Sequence, residues 1–367
     1  MSLATNESRF RDLRILVLRD NWFGCTGMSA FNAALRTGAH VDAICETDFI
    51  PPYWQDLRLR IAKRLLLPIA VREFNAALLD LIRLVRPHLF LATKGTYVQK
   101  KTLETIKKLG TITFCFFPDT SFVANGNELT EALREYDWVF STKSFGPSDF
   151  ERLFAKKCCS YLPHAFDPDV HRQVTPLSEI AQQFECDVSF IGTYSQRKHQ
   201  LLEEIVSRRP SLRLKIWGNQ WEKSPTRSLL RKHIQFSPVL GHSYAAAIAG
   251  SKVNLGMLRE GLPGASDDDQ ITSRTFHIPA CGGLMLHPRT KDLLDIFDEG
   301  QDCLCFSSPD ELLERIDEVL ANDDLRMRVA RGGYQTVHQA HKWDHRIATI
   351  LDHFVDRFRT NLQKRDE

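Results

Sequence analysis

The stretch Phe190-Ile-Gly-Thr-Tyr-Ser-Gln-Arg-Lys-His199 has the pattern of a strand, a glycine turn and the basic start of a helix. Its apolar run begins at Cys186, directly after a polar stretch that extends to Glu185. This order is typical of a parallel sheet whose strands alternate with helices. The free N–H groups and the dipole of a helix N-terminus also attract phosphate, and added cations strengthen the attraction. The segment therefore predicts an α/β fold and a phosphate contact.

Short apolar runs alternate with helical patterns on both sides of this segment. The predicted strands are residues 14–18, 41–45, 89–93, 111–117, 138–141, 186–191, 212–217, 253–257, 284–286 and 303–306. A chain of 367 residues exceeds one ordinary hydrophobic core. The sequence therefore predicts an α/β protein with two Rossmann-like lobes facing each other across a cleft, where doubly wound sheets bind their ligands.

The domain boundaries follow from where the alternation pauses and restarts. A polar stretch follows Pro168, so we place the N-terminal lobe at residues 1–168 and the C-terminal lobe at residues 169–342. Residues 343–367 form a separate last segment, in which 343–358 carry apolar side chains at helical spacing. We expect this segment to be an amphipathic helix that packs back toward the N-terminal lobe.

Composition excludes several classes of protein. Lys and Arg total 48 against 46 for Asp and Glu, a net charge of +2 that gives no reason to expect a nucleic acid partner. Nine cysteines are an odd number, and no CxxC pair is present for a zinc site. The N-terminal sequence lacks the pattern of a signal peptide, and no run is apolar enough to span a membrane. We expect a cytoplasmic protein.

One segment leaves a membrane contact open. Residues 53–64 mix four cations with apolar residues, as peripheral membrane segments do. The apolar residues do not segregate to one face of a helix, which favours partial burial against the lobe. Peripheral contact with the inner face of the membrane is the alternative.

The common nucleotide-binding glycine patterns are missing. The turn after the first strand reads Arg19-Asp-Asn-Trp-Phe-Gly-Cys-Thr-Gly27, which is not G-x-G-x-x-G, and the chain has no P-loop. This disfavours ordinary NAD dehydrogenases and P-loop kinases. Folds that bind nucleotides without either pattern remain.

The block from Asp269 to Pro288 reads DQITSRTFHIPACGGLMLHP. Together with the later strings IFDEG and FSSPDELLERI, it resembles the C-terminal lobe of GT-B glycosyltransferases, most closely those related to the spore maturation protein CgeB. The resemblance extends over about residues 186–351 and only in outline over the N-terminal half. It implies that the N-terminal lobe binds the acceptor and that the C-terminal lobe binds the donor.

The resemblance implies roles for specific residues of the donor lobe. Members of this class often carry two glutamates eight positions apart, which fall here on Asp269, near the donor sugar, and on His277, near the nucleotide ribose. Gly192, Thr193, Arg197 and Lys198 would contact the donor diphosphate, and Trp217 and Gly218 would lie near the nucleobase. Neutral imidazole accepts one hydroxyl hydrogen bond where a carboxylate accepts two. The alternatives are that His277 packs on the sheet from one face of a helix, that the segment with Arg197 and Lys198 is an ordinary solvated helix start, and that Trp217 belongs to the core.

Arg274 stands three residues before His277, on the same face if the helix has begun. A guanidinium there suits a bidentate contact with a diphosphate oxygen, and a surface ion pair with residues 267–269 is the alternative. The acidic runs 267–269 and 323–324 are more often solvated than metal-binding. We expect no metal or other cofactor.

On the acceptor side, reactive side chains lie near predicted strand ends. They are Asp20, Lys94, Asp119 and His164, with Gly95 beside them. Asp119 follows Phe-Phe-Pro, an apolar setting that would raise its pKa toward that of a general base. A hydrogen-bonded loop residue is the alternative for Asp119 and for His164.

The resemblance implies transfer of a hexosyl group from a nucleoside diphosphate sugar to a hydroxyl of a glycan or glycolipid acceptor, in cell-envelope or other glycan synthesis. Retention of the anomeric configuration is the better guess if the paired-acid pattern is kept. The alternatives are a sugar-nucleotide 2-epimerase, which should show more carboxylates at the cleft, and a degenerate sugar-nucleotide-binding protein, which the histidine at position 277 favours.

Overall fold

The structure is a computed structural model that describes residues 9–50, 57–175 and 183–363, without the side chains of 57–64 and 359–363. It divides into two compact units. The N-terminal unit comprises Met1–Pro163, Gly261–Asp267 and Trp343–Glu367, and the C-terminal unit comprises His164–Glu260 and Asp268–Lys342. The inclusion of residues 261–267 in the N-terminal unit has no counterpart in the predicted domain scheme.

The N-terminal unit is built on a parallel sheet of six strands in the order β2-β1-β3-β4-β5-β6. The strands are β1 Arg14–Arg19, β2 His40–Cys45, β3 Leu89–Thr93, β4 Ile112–Phe117, β5 Trp138–Ser141 and β6 Cys159–Tyr161. All six residues of β4 are buried, as expected for a central strand covered on both faces. Because β1 lies between β2 and β3, the strand order reverses at β1.

Six helices connect these strands. They are α1 Thr26–Leu35, α2 Glu46–Phe49, α3 Leu57–Val85, α4 Lys100–Lys108, α5 Asn127–Leu133 and α6 Gly146–Phe154. Residues 53–56 of the segment considered for membrane contact, and the side chains of 57–64, lie outside what the structure describes. Among the residues described, no helix has the length and apolar character needed to cross a membrane.

The C-terminal unit has a parallel sheet of five strands in the order β11-β10-β9-β7-β8. The strands are β7 Cys186–Ile191, β8 Leu214–Trp217, β9 Ser251–Leu255, β10 Met285–Pro288 and β11 Leu304–Phe306. Its helices are α7 Gln196–Arg208, α8 His242–Ala249, α9 Arg274–Ala280, α10 Lys291–Leu294, α11 Pro309–Ala321 and α12 Asp323–Ala340. The strand order reverses at β7, which places the switch point beside the segment quoted first. Both sheets confirm the predicted fold class.

The last helix, α13 (Trp343–Gln363), completes the core of the N-terminal unit. Its Phe354 ring meets Phe114 of β4 edge-on at 6.1 Å between centroids, and Trp343 meets Phe116 in the same way at 5.0 Å. A bidentate ion pair joins Arg36, at the end of α1, to Asp344, with Nε–Oδ1 at 2.6 Å and Nη2–Oδ2 at 2.9 Å. The apolar positions identified from helical spacing, Ile347, Ile350, Leu351 and Phe354, are all buried.

We predict that Phe354→Ala lowers the stability of the N-terminal unit by about 3–5 kcal/mol, because it leaves a cavity against the central strand. The matched control is Leu84→Ala in α3, whose side chain is 80% exposed, with an expected change within about 0.5 kcal/mol. Thermal melting followed by tryptophan fluorescence measures both. Equal melting temperatures for the two variants would contradict the packing of α13.

Candidate functional site

The loops after β7 and β8 are locked together by backbone hydrogen bonds. The Gly192 N–H donates to the Trp217 carbonyl at 2.9 Å, and the Tyr194 N–H donates to the Asn219 carbonyl at 3.0 Å. The buried Trp221 indole N–H donates to the Gly192 carbonyl at 2.8 Å. Gly192 and Thr193, both predicted to contact a diphosphate, therefore lie in a loop whose shape is fixed on two sides.

Gly218 permits this close approach. Its φ of +133° lies in a region that side-chain-bearing residues rarely adopt, and a Cβ there would stand 2.2 Å from the Gly192 carbonyl oxygen. The predicted donor-binding residue thus has a definite structural task, which is to let one loop backbone lie against the other.

The Trp217 side chain is part of the apolar core. It is buried in a cluster with Val239 and Ala247, and its ring lies 6.1 Å from that of Phe184. This is the alternative that the sequence left open for Trp217. Its backbone carbonyl still shapes the loop, through the bond from Gly192.

The start of α7 separates the two cations predicted to bind phosphate. The Ser195 hydroxyl accepts from the Lys198 N–H at 3.4 Å and donates to the Glu260 carboxylate at 2.7 Å. Lys198 is buried, and its ammonium donates to the Thr193 carbonyl at 3.4 Å. Arg197 has a side chain that is 73% exposed and paired with Asp268 at 3.3 Å. Successive helical residues point about 100° apart, so only Lys198 lies under the loop.

Arg274, at the first turn of α9, lies close to the same loop. Its Nη2 donates to the Met257 carbonyl at 2.6 Å, and its guanidinium carbon lies 5.5 Å from the centre of the Phe190 ring. A Cβ on Gly192 would stand 3.1 Å from its Nη1. Its Nε is buried and has no hydrogen-bond partner among the described residues. The guanidinium is therefore only partly satisfied by the protein.

Lys198 and Arg274 form a site with an excess of positive charge. Burial, and then the charge of Arg274, lower the pKa of Lys198 to about 8, while Glu260 and Asp269 act in the opposite direction. Burial also lowers the pKa of Arg274. Two cations that repel each other in a partly desolvated place are stabilised by an anion between them. A phosphate group fits that requirement.

Asp269 is buried beside these cations. Its backbone N–H donates to the Arg259 carbonyl at 3.2 Å, and its charge acts on both Lys198 and Arg274. The carboxylate is therefore close enough to both cations to affect their pKa values.

His277 lies in a stack of aromatic rings. Its Nε2 donates to the Ala165 carbonyl at 3.2 Å, and its ring stacks on that of His171 at 3.7 Å with Tyr244 edge-on. Burial, then His171 and His164, hold its pKa well below the usual range, so the ring is neutral. Because Nε2 carries the proton, Nδ1 is the acceptor. His164, predicted for the acceptor side, belongs to the C-terminal unit and acts on His277.

Asp119 does not have the apolar setting that its sequence neighbours predicted. Its Oδ2 pairs with the Lys94 ammonium at 2.7 Å and accepts from the Asn125 amide at 2.9 Å. The carboxylate turns toward polar groups of neighbouring loops, which short-range sequence context does not reveal. This corrects the expectation of an apolar setting for Asp119.

Two acidic residues of interest escaped the sequence analysis. Glu260 holds the Ser195 cap of α7, and Glu46 is a buried carboxyl at the start of α2. Glu46 directly follows β2, a position that could have drawn attention to it, whereas Glu260 lies in the loop beyond β9. Within the described ranges, no group of three or more His, Cys, Asp or Glu side chains is arranged to hold a metal ion.

We predict that Gly218→Ala disrupts the loop at Gly192, because the added methyl group collides with a carbonyl oxygen. Gly300→Ala is the matched control, since Gly300 also has a positive φ, of +83°, with no atom within 4 Å of the added Cβ. The control should lose about 1 kcal/mol from backbone strain, and Gly218→Ala clearly more. Chemical denaturation compares them. Equal losses would mean that the two loops need no close contact.

Comparisons with known proteins agree with this arrangement. Residues 197–352 match the family described as glycosyl transferase-like. A comparison with curated proteins found no match.

Three solved structures share the fold across nearly the whole chain. Sucrose-phosphate synthase from Thermosynechococcus elongatus is 13% identical with a TM-score of 0.65, covering 95% of this chain and 100% of that one. HepE from Anabaena, solved in complex with UDP-glucose, is 12% identical with a TM-score of 0.62, covering 93% and 99%. A putative UDP-N-acetylglucosamine 2-epimerase from Listeria monocytogenes is 10% identical with a TM-score of 0.56, covering 95% and 97%. The chain thus has two Rossmann-like units of the GT-B type, and its residues 197–352 are similar to the family described as glycosyl transferase-like.

Proposed function

We propose that this protein transfers a hexosyl group from a nucleoside diphosphate sugar to a hydroxyl of a glycan or glycolipid, in cell-envelope or other glycan synthesis. The observation that carries the proposal is the pair of partly buried cations, Lys198 and Arg274, beside the loop that Gly218 holds in place. The glycosyl transferase-like match over residues 197–352 supports it, as does the similar fold of HepE, which was solved with UDP-glucose.

The reaction is a displacement at the anomeric carbon of the donor. The acceptor hydroxyl oxygen forms a bond to that carbon and gives up its proton, the bond to the diphosphate oxygen breaks, and negative charge grows on the departing nucleoside diphosphate. Lys198, Arg274 and the more exposed Arg197 offset this charge, and fixed cations in a partly desolvated site do so strongly. Gly192 and Thr193 present loop backbone to the phosphates.

The remaining candidate residues have orienting tasks in this proposal. Asp269 accepts hydrogen bonds from sugar hydroxyls, and the neutral His277 accepts one from the ribose at Nδ1. Trp217 and Gly218 shape the loop near the nucleobase. Asp119 and His164 are kept as acceptor-side candidates, although the ion pair of Asp119 with Lys94 weakens its case as a base.

Finer parts of the proposal rest on the sequence resemblance. They are membership of the CgeB-related subgroup, retention of the anomeric configuration, and chemistry without a bound metal. A location in the cytoplasm, with peripheral contact at the inner membrane face, belongs to the same set.

A 2-epimerase of sugar nucleotides is the second candidate. The similar fold of the putative Listeria epimerase favours it, and the carboxyls of Glu46 and Glu260 add to those noted in the sequence. An epimerase changes the sugar while it stays attached to the nucleotide. A degenerate binding protein would hold the donor without changing it.

Incubation of the purified protein with UDP-, GDP- and dTDP-sugars in excess chelator separates the three candidates. We expect release of a nucleoside diphosphate, because the diphosphate site is built from cations of the protein. An altered sugar without release would indicate epimerisation, and thermal stabilisation alone would indicate a binding protein. Loss of release on chelation, restored by magnesium or manganese, would overturn the metal-free part of the proposal.

We predict that Lys198→Met weakens the binding of UDP at least tenfold, because a charge-assisted hydrogen bond contributes about 1.5–3 kcal/mol and 1.4 kcal/mol corresponds to a factor of ten. Arg197→Ala should weaken it several-fold, since that exposed side chain is already paired with Asp268. Isothermal titration at neutral pH measures both. In the wild type, affinity should fall as the pH rises through about 8 and Lys198 loses its proton.

The matched control is Lys252→Met. Lys252 is exposed, lies at the amino end of β9 and pairs with Asp187 at the amino end of β7, the edge of the sheet opposite the site. Its loss should leave UDP affinity unchanged. Equal affinities for the Lys198 and Lys252 variants would remove the phosphate assignment.

A further inference from the structure

Four charged residues of the N-terminal unit follow four adjacent strands. Asp20, Glu46, Lys94 and Asp119 come directly or nearly directly after β1, β2, β3 and β4. The carboxyl ends of these strands lie along one edge of the sheet, and the strand order reverses there at β1. Such a switch point is where doubly wound sheets bind ligands.

Backbone contacts hold this cluster in place. The Asn21 N–H and side-chain amide donate to Thr47 Oγ1 and Asp48 Oδ1, each at 3.0 Å, so the loop after β1 is tied to α2. The carboxylate of Glu46 accepts from the Tyr97 N–H at 2.8 Å, which ties α2 to the loop after β3. The three loops are therefore organised without a ligand.

The loop after β3 adopts a strained backbone that places Lys94. Lys94 has a φ of +68° and Gly95 a φ of +66°. The first of these is costly for a residue with a side chain. The Lys94 N–H donates to the Phe116 carbonyl at 2.8 Å, and the ammonium reaches Asp119 at 2.7 Å. Strain of this kind concentrates at functional sites.

Glu46 is a buried carboxyl, and its burial makes ionisation unfavourable. Burial, followed by the charge of Asp20, raises its pKa to about 7, and the Tyr97 and Thr96 N–H groups and the charge of Lys94 offset this only in part. Its charge also acts on the hydroxyls of Tyr97 and Tyr136. A carboxyl that is half ionised near neutral pH, at a strand end, is typical of a functional group.

A buried hydroxyl without a partner lies beneath the same loop. Tyr136 is buried, and its hydroxyl has no hydrogen-bond partner among the described residues. The hydroxyl lies 2.8 Å from the point where a Cβ of Gly95 would stand. Unsatisfied polar groups in a native interior are rare, and this one lies directly under the loop that carries Lys94 and Gly95.

Two aromatic side chains on the loop after β1 complete the cluster. Trp22 is 41% exposed and Phe23 is 45% exposed, and Asn21 separates them from Asp20 in the chain. Exposed aromatic rings beside carboxyl groups suit a sugar ring, whose C–H face packs on the aromatic ring while its hydroxyls donate to the carboxylates. Lys94 pairs with Asp119 and offsets part of the charge of Asp20 and Glu46, so we expect a neutral ligand rather than a cationic one.

We propose that Trp22, Asp20 and Glu46 bind a neutral sugar ring of the acceptor, with ionised Glu46 accepting a hydrogen bond from one of its hydroxyls. The acceptor role rests on the proposed glycosyl transfer, whereas the sugar site itself does not. Lys94, which is paired with Asp119, stabilises the ionised carboxyls of Asp20 and Glu46 by its charge.

The pH dependence of binding follows from the charges around Glu46. Ionised Glu46 prevails above about pH 7, so sugar binding should be full at higher pH and be lost as the pH falls through that value. Removing the like charge with Asp20→Asn lowers the pKa of Glu46 and shifts the midpoint of binding to lower pH. Removing the opposite charge with Lys94→Met shifts it to higher pH.

Saturation-transfer NMR with methyl glycosides of glucose, galactose, mannose, N-acetylglucosamine and glucosamine tests the proposal on the full chain. We expect at least one neutral glycoside to bind at high pH, and binding to be reduced at least fivefold in Glu46→Gln and Trp22→Ala. The Asp20→Asn and Lys94→Met variants should shift the midpoint in opposite directions. Glu128→Gln, an exposed carboxyl on α5, is the matched control and should bind like the wild type.

The outcomes separate this site from the proposed function. No glycoside binding, preference for the glucosamine derivative, or midpoints that do not move in the two charge variants would each overturn the neutral sugar site. UDP protection against thermal unfolding is measured on the same samples and also checks that each variant is folded. If UDP does not protect the wild type while a glycoside still binds, donor binding is overturned and the sugar site is retained.

Discussion

The close approach of Gly192 and Gly218 is the constraint on which the C-terminal unit depends. The loop after β8 can lie against the Gly192 carbonyl only because Gly218 carries no methyl group, whereas a methyl group on Gly192 would collide with the Phe190 ring. That contact fixes the carbonyls of Gly192 and Thr193. The Thr193 carbonyl accepts a hydrogen bond from the Lys198 ammonium. The glycine pair therefore sets where positive charge is held, although glycine has no charge itself.

The N-terminal unit also fixes the loops at the carboxyl edge of its sheet, but it does so through side chains rather than through a glycine contact. Its fully buried β4 gives a rigid base, and the loops at its carboxyl edge are joined through side chains that accept backbone N–H groups. The result is an edge rich in carboxyls rather than cations. The two units thus share an architecture of parallel strands but concentrate opposite charges at the corresponding places of their sheets.

The sequence predicted the strands well, because each is a short apolar run between helical patterns. It could not decide which of Arg197 and Lys198 lies inside, since that depends on the exact residue at which Ser195 caps α7. It missed the short strand β6 and the grouping of residues 261–267, which rest on contacts distant in the chain, such as the Ser266 N–H with Asp149 at 2.9 Å. Glu46 was missed because a single glutamate carries no pattern.

The placement of α13 has a consequence for synthesis of the chain. The core around Phe114 is closed by Phe354, whereas the C-terminal unit is complete at Lys342. Domains generally fold as units while the chain emerges from the ribosome, N-terminal first. Here the order is reversed for one step, because the first sheet to be made lacks its last apolar cover until α13 has been synthesised. During that interval the apolar side chains of its central strand, β4, have to be covered in another way if the chain is not to aggregate.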